Sequence, residues 1–227
     1  MPNWVYNGLT AEGSESSVLK LKEQVGKPIS VPVVDWKTNE LKIETNDSPI
    51  FSYWNIIAPT DLEAYPKQTD HSLDKPYEGN DWYSWNNRNW GVKWDASNPY
   101  IGGEQANGEN YVIQYNFESP WGIPDEALAE LSSQYPDLLF TLSYEEETGW
   151  GGEMEFLRGE VISESEYENM CRDCDAIDQM EYCENDCGEI CGNCHWLGEA
   201  NLDDVAKCDE HKVYLDTKVP EHRKVTQ

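Results

Sequence analysis

All seven cysteines of the chain fall within one short, acidic stretch. With one histidine they form four closely spaced ligand pairs, which are Cys171/Cys174, Cys183/Cys187, Cys191/Cys194 and Cys208/His211. Eight such ligands complete two tetrahedral sites, the geometry of structural Zn²⁺ when no position is left open for water. The spacing therefore predicts two zinc ions and a small metal-held module over residues 162–227.

The ligand pairs can be assigned to the two metals, because two ligands on one short turn occupy neighbouring corners of one tetrahedron. The first and third pairs give Cys-x2-Cys-x16-Cys-x2-Cys, which lies within the zinc-ribbon range. The second and fourth pairs then hold the second ion, and His195 could replace one ligand. This interleaved order resembles the cross-brace of RING-type double-zinc modules. We do not extend that resemblance to ligase activity.

Other chemistries of the cysteines remain open. A disulfide framework is disfavoured because seven is an odd number and because MPNWVYNGLT has neither the basic start nor the apolar run of a signal peptide. The run from Cys191 to His195 also fits the c-type haem attachment motif, and spacing alone does not separate zinc from an iron–sulfur cluster. We favour zinc over these alternatives.

The charge of the chain is the second constraint. It carries 44 acidic against 16 basic residues, a formal charge of −28, and residues 145–210 alone contribute −18. Direct binding of nucleic acid is disfavoured, because such affinity comes mainly from Lys and Arg contacts to phosphates. An acidic surface attracts a basic partner instead, although solubility alone would also explain the charge. The candidate partner-binding residues are Glu145, Glu146, Glu147, Asp203 and Asp204.

The preceding residues, 1–161, predict an α+β domain. Alternating apolar residues, caps and turn residues mark its elements. The predicted helices begin at Ser14, near Asp81 and at Pro124, and the predicted strands are 4–13, 29–34, 41–44, 51–58, 111–117, 138–144 and 154–161. This order predicts a mainly antiparallel sheet with two or three helices. A mean hydropathy of −0.75 and the lack of a long apolar run predict no membrane span.

The run DWYSWNNRNWGVKW at residues 81–94 is the most aromatic part of the chain. Together with a later tryptophan it could form an aromatic cleft, whose candidate residues are Trp82, Trp85, Trp90, Trp94 and Trp121. Packing in the core is the favoured role, because the run lacks the basic surround of a stacking platform for single strands.

Four runs, one of them the end of this aromatic run, resemble one known family: MPNW, NWGVKW, YNFESPW followed by PDEALAELSSQYP, and SYEEETGWGGEMEF. They are similar to the YubB-type ferredoxin-like domain, which bacteriophages and conjugative plasmids encode, over residues 1–161. The family often begins MPNWC, whereas this chain has Val5. The resemblance implies a ferredoxin-like fold without an iron–sulfur cluster, in the cytoplasm of the bacterial host. It brings no catalytic residues.

We therefore expect a non-enzymatic, phage- or plasmid-encoded protein that binds a host protein with a basic surface. Inhibition of a nucleic-acid-binding protein, such as a restriction or CRISPR nuclease, by mimicry of nucleic acid is the leading hypothesis. A zinc adaptor in phage replication or transcription is the alternative, and an enzyme acting on a small substrate at the aromatic cleft is a third. The sequence does not indicate the oligomeric state.

Overall fold

The computed structural model describes residues 2–35, 37–38, 40–67, 79–168, 180–182 and 189–191. Contacts divide the chain into two units, Met1–Glu147 with Gly152–Ser165, and Thr148–Gly151 with Glu166–Gln227. The boundary that the sequence suggests at residue 161 remains a prediction. Within the described residues, no helix combines the length and the apolar character that crossing a bilayer requires.

The first strand and helix form as the sequence predicts. β1 (Trp4–Gly13) alternates buried and exposed side chains, and α1 (Glu15–Val25) follows it. Ser14 caps this helix, because its side chain accepts a hydrogen bond from the backbone N–H of Ser17. Val18, Leu21 and Val25 recur at helical spacing and are fully buried.

A long insertion separates α1 from the next strand of the main sheet. It begins with the antiparallel hairpin of β2 (Ile29–Val34) and β3 (Leu41–Asn46), both of which the sequence predicts. The predicted strand at 51–58 is wrong, because this segment contains a 3-10 turn, Tyr53–Asn55, capped by Ser52. Its apolar residues are nevertheless buried. The apolar composition of the segment therefore predicted its burial correctly but not its secondary structure.

The predicted aromatic helix is confirmed as α2 (Trp82–Trp90). The Asp81 side chain accepts a hydrogen bond from the backbone N–H of Ser84, and Gly91 ends the helix with a φ of +81°. The chain then enters β4 (Ser97–Asn107), a strand that was not predicted from the sequence. Pro99, Gly102 and Gly103 disfavour a strand, and β4 tolerates them because it is an irregular strand at the edge of the sheet.

The remaining elements complete a ferredoxin-like topology. β5 (Asn110–Pro120), α3 (Asp125–Gln134) and β6 (Leu139–Glu146) follow β4. β1 lies between β5 and β6 and is antiparallel to both. A strand–helix–strand–strand–helix–strand order with this arrangement is the split βαβ motif. The predicted α+β class and the mainly antiparallel sheet are confirmed.

Two further strands extend the sheet beyond β6. They are β7 (Gly151–Leu157) and β8 (Glu160–Tyr167), and the strand order is β4-β5-β1-β6-β7-β8. The predicted single strand at 154–161 is therefore wrong. Arg158 and Gly159, with φ of +57° and +87°, form a two-residue turn whose twist suits a hairpin.

The core lies on the helix side of the sheet. Phe51 from the insertion stacks on Phe117 of β5, with ring centroids 5.1 Å apart and an interplanar angle of 10°. Trp90 packs against Tyr53 at 5.7 Å and donates a hydrogen bond from Nε1 to the backbone oxygen of Ile57. The insertion thus supplies aromatic core to the ferredoxin-like sheet.

In the second unit the structure describes the backbone of two short strands. β9 (Met180–Tyr182) and β10 (Glu189–Cys191) pair in an antiparallel ladder.

Candidate functional site

The side of the sheet that faces away from the helices forms an open face. In β1 the residues at odd positions, such as Val5 and Leu9, are buried, so those at even positions point to the other side. Tyr6, which is 52% exposed, lies opposite Glu118 of β5 and Glu145 of β6. The same alternation continues into the neighbouring strands.

Glutamates dominate the charge of this face. Because Leu157 and Glu160 flank a two-residue turn, they lie opposite each other, and the alternation can be followed into β8. We define the acidic face by its glutamates, which are Glu12, Glu118, Glu145, Glu153, Glu155, Glu160 and Glu164.

The six strands of this sheet contain no Lys, Arg or His within their bounds. The described basic residues are Lys20, Lys22, Lys27, Lys37, Lys42, Lys67, Arg88, Lys93 and Arg158. They lie in α1, α2, the β2–β3 hairpin and connecting segments. The open face of the sheet therefore carries negative charge that no basic residue within its own strands neutralises.

Small and neutral polar residues occupy the middle of the acidic face. Gly8 lies opposite Asn116 and Ser143. A Cβ added to Gly8 would come within 3.1 Å of Ser143 Oγ and 3.6 Å of Gln114 Nε2. The lack of a side chain at Gly8 leaves room for these neighbouring polar side chains in the centre of the face.

The structure separates the candidate partner-binding residues. Glu145 belongs to the acidic face, whereas Glu146 points to the helix side of β6 and is only 2% exposed. Glu147 follows β6, and its backbone N–H donates a hydrogen bond to the oxygen of Trp4. Asp203 and Asp204 lie outside the described residues. Strand alternation explains the split, because consecutive residues of a strand face opposite sides.

The candidate aromatic residues also divide into different environments. Trp90 is 1% exposed and belongs to the core. Trp85 packs edge-on against Trp90, with ring centroids 5.5 Å apart. Trp82 and Trp94 line a groove, and Trp121 is 53% exposed in the turn after β5. The five tryptophans therefore do not form one cleft.

The groove has a volume of about 1260 Å³. Residues of the β2–β3 hairpin line it, together with Trp54, Trp82, Trp90 and Trp94. Asp95 also lines it. A mostly apolar wall with few polar groups is typical of small-molecule sites.

Asp95 is held by three hydrogen bonds. Its Oδ1 accepts from the backbone N–H groups of Tyr53 at 2.7 Å and Ala96 at 2.9 Å, and its Oδ2 accepts from Ser52 Oγ at 2.6 Å. Burial raises the pKa of the Asp95 carboxyl above its ordinary value, although these hydrogen bonds act in the opposite direction. Asp95 thus joins the 3-10 turn to the segment after α2.

Four aromatic rings surround the ammonium of Lys93. The distances from Nζ to the ring centroids are 4.7 Å for Trp94, 5.0 Å for Trp121, 5.6 Å for Tyr83 and 5.7 Å for Trp82. We call these four rings the aromatic box. Three of the four rings were predicted from the sequence to line a cleft, whereas Tyr83 and the central Lys93 were not. The interleaving of a lysine with the aromatic run NWGVKW was the only signal for it.

The predicted zinc ligands Cys171, Cys174, Cys183, Cys187, Cys194, Cys208 and His211, and the substitute His195, lie outside the described residues. Cys191 lies in β10, where only the backbone is described. In the part of the chain that the structure describes, no group of three or more potential metal-ligating side chains occurs. The two zinc ions remain a prediction.

Comparison with known proteins identifies the fold. Residues 90–184 match a family model described as a ferredoxin-like domain in Api92-like protein. The crystal structure of a protein api92 from Yersinia pseudotuberculosis is similar, with 13% sequence identity and a TM-score of 0.50. This match covers 75% of the present chain and 100% of that chain. No curated protein matches the sequence. The chain thus has a ferredoxin-like fold, and its residues 90–184 are similar to the ferredoxin-like domain of Api92-like protein.

Proposed function

We propose that this chain is a phage- or plasmid-encoded, non-enzymatic protein that binds a basic host protein through its acidic face. The host protein would be one that binds nucleic acid, and occupation of its basic surface would inhibit or modulate that binding. The observation that carries the proposal is the open face itself, where glutamates recur on several strands and the sheet supplies no basic residue.

The sheet gives this charge a regular geometry. Residues two apart on one strand, such as Glu153 and Glu155, are separated by about 6–7 Å, and neighbouring strands lie about 5 Å apart. A basic groove binds a phosphate backbone through Lys and Arg side chains, so a rigid array of carboxylates could occupy it. Complementary potentials of this kind raise association rates and weaken with added salt.

The zinc module belongs to the same proposal. The seven thiolates and two Zn²⁺ ions would leave it negative, so the metal would fix the geometry of this unit without neutralising it. It would add a second acidic surface that includes Asp203 and Asp204.

Two variants of the full chain distinguish an effect of the acidic face from an effect of net charge alone. The face variant carries Glu→Gln at Glu118, Glu145, Glu153 and Glu155. The off-face variant carries Glu→Gln at Glu23, Glu40, Glu63 and Glu109, which are exposed and lie outside the strands of the sheet. Both variants lose the same number of charges, and glutamine preserves the size of each side chain.

The test is affinity capture from a nuclease-treated bacterial lysate, with elution by a salt gradient and identification by mass spectrometry. The proposal predicts that the wild-type and off-face proteins retain a nucleic-acid-binding protein that elutes at moderate salt, and that the face variant loses it. Equal capture by the two variants, or no nucleic-acid-binding protein among the captured ones, would contradict the proposal.

A further inference from the structure

The aromatic box has the arrangement that recognises an alkylammonium ion. Its four rings all lie within about 6 Å of one nitrogen, the distance at which the negative face of an aromatic ring attracts a cation. In the free protein that nitrogen belongs to Lys93, which comes from the same chain.

The box is assembled from separate segments that fix its shape. Trp82 and Tyr83 belong to α2, whereas Trp94 packs against Trp4 at 6.2 Å and against Trp121 at 5.9 Å. Trp121 adopts a left-handed backbone with a φ of +61°, a conformation that is unfavourable for a bulky side chain. The surrounding turn holds it there.

Two hydrogen bonds maintain this turn. The backbone N–H of Trp121 donates to the oxygen of Asn3 at 2.9 Å, and Ser119 Oγ donates to the oxygen of Gly122 at 2.6 Å. A strained residue that its surroundings keep in place, with an indole that is 53% exposed, indicates a role beyond core packing.

The rings supply the contacts that hold the cation of Lys93. Among the described residues, no carboxylate lies within ion-pair distance of Lys93 Nζ, although the chain is strongly acidic. The box therefore selects an ammonium by its aromatic faces. Trp94, which is 37% exposed, and Trp121 leave an approach from solvent.

We propose that the aromatic box is a binding site for an alkylammonium group, and that Lys93 occupies it until a ligand takes its place. The ligand group would be either the quaternary ammonium of a small molecule or the ammonium of a lysine on a protein partner. Both sources present the same chemistry to the rings, and Lys93 competes with both because it is tethered beside the box.

Removal of the tethered cation tests this directly. Tetramethylammonium chloride is titrated into the wild-type protein and the Lys93→Ala variant, and binding is followed by the NMR signals of the indole N–H groups. The variant should bind saturably in the millimolar range and at least about tenfold more tightly than the wild type. The neutral isostere 3,3-dimethylbutan-1-ol should bind more weakly, because it lacks the charge that the ring faces attract.

Further measurements distinguish a small-molecule ligand from a protein lysine and test whether binding requires the aromatic box. Addition of Trp121→Ala to the Lys93→Ala variant should abolish binding. Tighter binding of choline than of Nα-acetyl-lysine methylamide would assign the site to a small molecule, and the reverse order would assign it to a protein lysine. No saturable binding by a folded Lys93→Ala protein, or equal binding of the neutral isostere, would overturn the proposal.

A measurement on the wild-type chain covers the case in which Lys93→Ala does not fold. Reductive methylation with ¹³C-formaldehyde labels every lysine, and ring currents should move the Lys93 methyl signal upfield of all others. Trp121→Ala should return that signal towards the others. If no lysine methyl signal is shifted, Lys93 does not occupy such a box in solution and the proposal is wrong.

Discussion

At Gly91 the chain turns from α2 towards the aromatic box, and only glycine fits there. Its φ is +81°, and an added Cβ would collide with Asp125 Oδ1 and lie 3.0 Å from the backbone oxygen of Ile123. Asp125 begins α3, so the close approach at Gly91 fixes the spacing between the ends of two helices. The sequence predicted that Gly91 ends a helix, but it could not show the contact with α3.

Gly91→Ala should therefore lower the free energy of unfolding by about 2–4 kcal/mol, since it combines a left-handed backbone with a steric clash. Gly103→Ala is the matched control, because an added Cβ there meets nothing within 4 Å. The control should change the free energy of unfolding by less than about 0.5 kcal/mol. Urea denaturation followed by tryptophan fluorescence measures both. Equal effects of the two changes would contradict the packing described for Gly91.

Asp95 makes the stability of the fold depend on pH. Its pKa is raised in the folded state, so the folded chain binds this proton more tightly than the unfolded chain does. Its contribution to the free energy of unfolding therefore falls as pH rises from about 4 through the raised pKa.

Asp95→Asn should remove this contribution while it keeps the local bonds. The amide oxygen can still accept from Tyr53 and Ala96, and the amide nitrogen can donate to Ser52 Oγ. Urea denaturation at a series of pH values should show that the variant gains stability relative to the wild type as pH rises through this window. A stability difference that is constant with pH would show that Asp95 does not titrate abnormally.

At the scale of elements, the spacing of apolar residues predicted the helices and strands whose apolar residues follow a single helical or strand period. α1 has a side-chain cap and an apolar face, and β5 and α3 have apolar faces at strand and helix spacing, all of which local chemistry specifies. The strand predicted at 51–58 was wrong, because the apolar residues of this segment are buried by long-range contacts with β5 and α2 and not by strand pairing. β4 was missed because an edge strand accepts glycine and proline that a central strand would exclude.

The β7–β8 hairpin offers a direct test at this scale. Arg158 has a φ of +57°, which asparagine tolerates better than arginine does in a two-residue turn. Arg158→Asn should therefore raise the free energy of unfolding by about 0.5 kcal/mol, because relief of the left-handed backbone outweighs loss of the long hydrogen bond, 3.4 Å, from Arg158 Nε to the oxygen of Pro136. Gly159→Ala should lower it, because φ is +87° and an added Cβ would lie 3.1 Å from Ser133 Cβ. Stabilisation by both changes would be incompatible with the turn described.

At the scale of the whole molecule, the net charge of −28 was evident from composition, but its distribution was not. Sequence proximity grouped Glu145, Glu146 and Glu147. The sheet instead buries Glu146 and places Glu12, Glu118 and Glu153 on the same face as Glu145. Strand order can place residues distant in sequence on one face, and a single sequence does not encode that order in a local pattern.

The metal content of the purified chain tests the interpretation of the cysteines. Inductively coupled plasma mass spectrometry should find two zinc ions per chain, and Cys171→Ser and Cys208→Ser should each remove about one. The ligand order assigns these two cysteines to different ions. A zinc-free protein with paired disulfides, or with bound iron, would overturn the zinc prediction.

The most direct test of the central claim is competition between this chain and DNA for the captured host protein. Fluorescence anisotropy of a labelled duplex bound to that protein is measured as the chain is added. We predict that the wild-type and off-face proteins displace the DNA, and that the face variant requires at least about tenfold more protein because it has lost four carboxylates from the contact surface. DNA that stays bound at every concentration, or equal displacement by the face and off-face variants, would show that the acidic face does not occupy the nucleic-acid site.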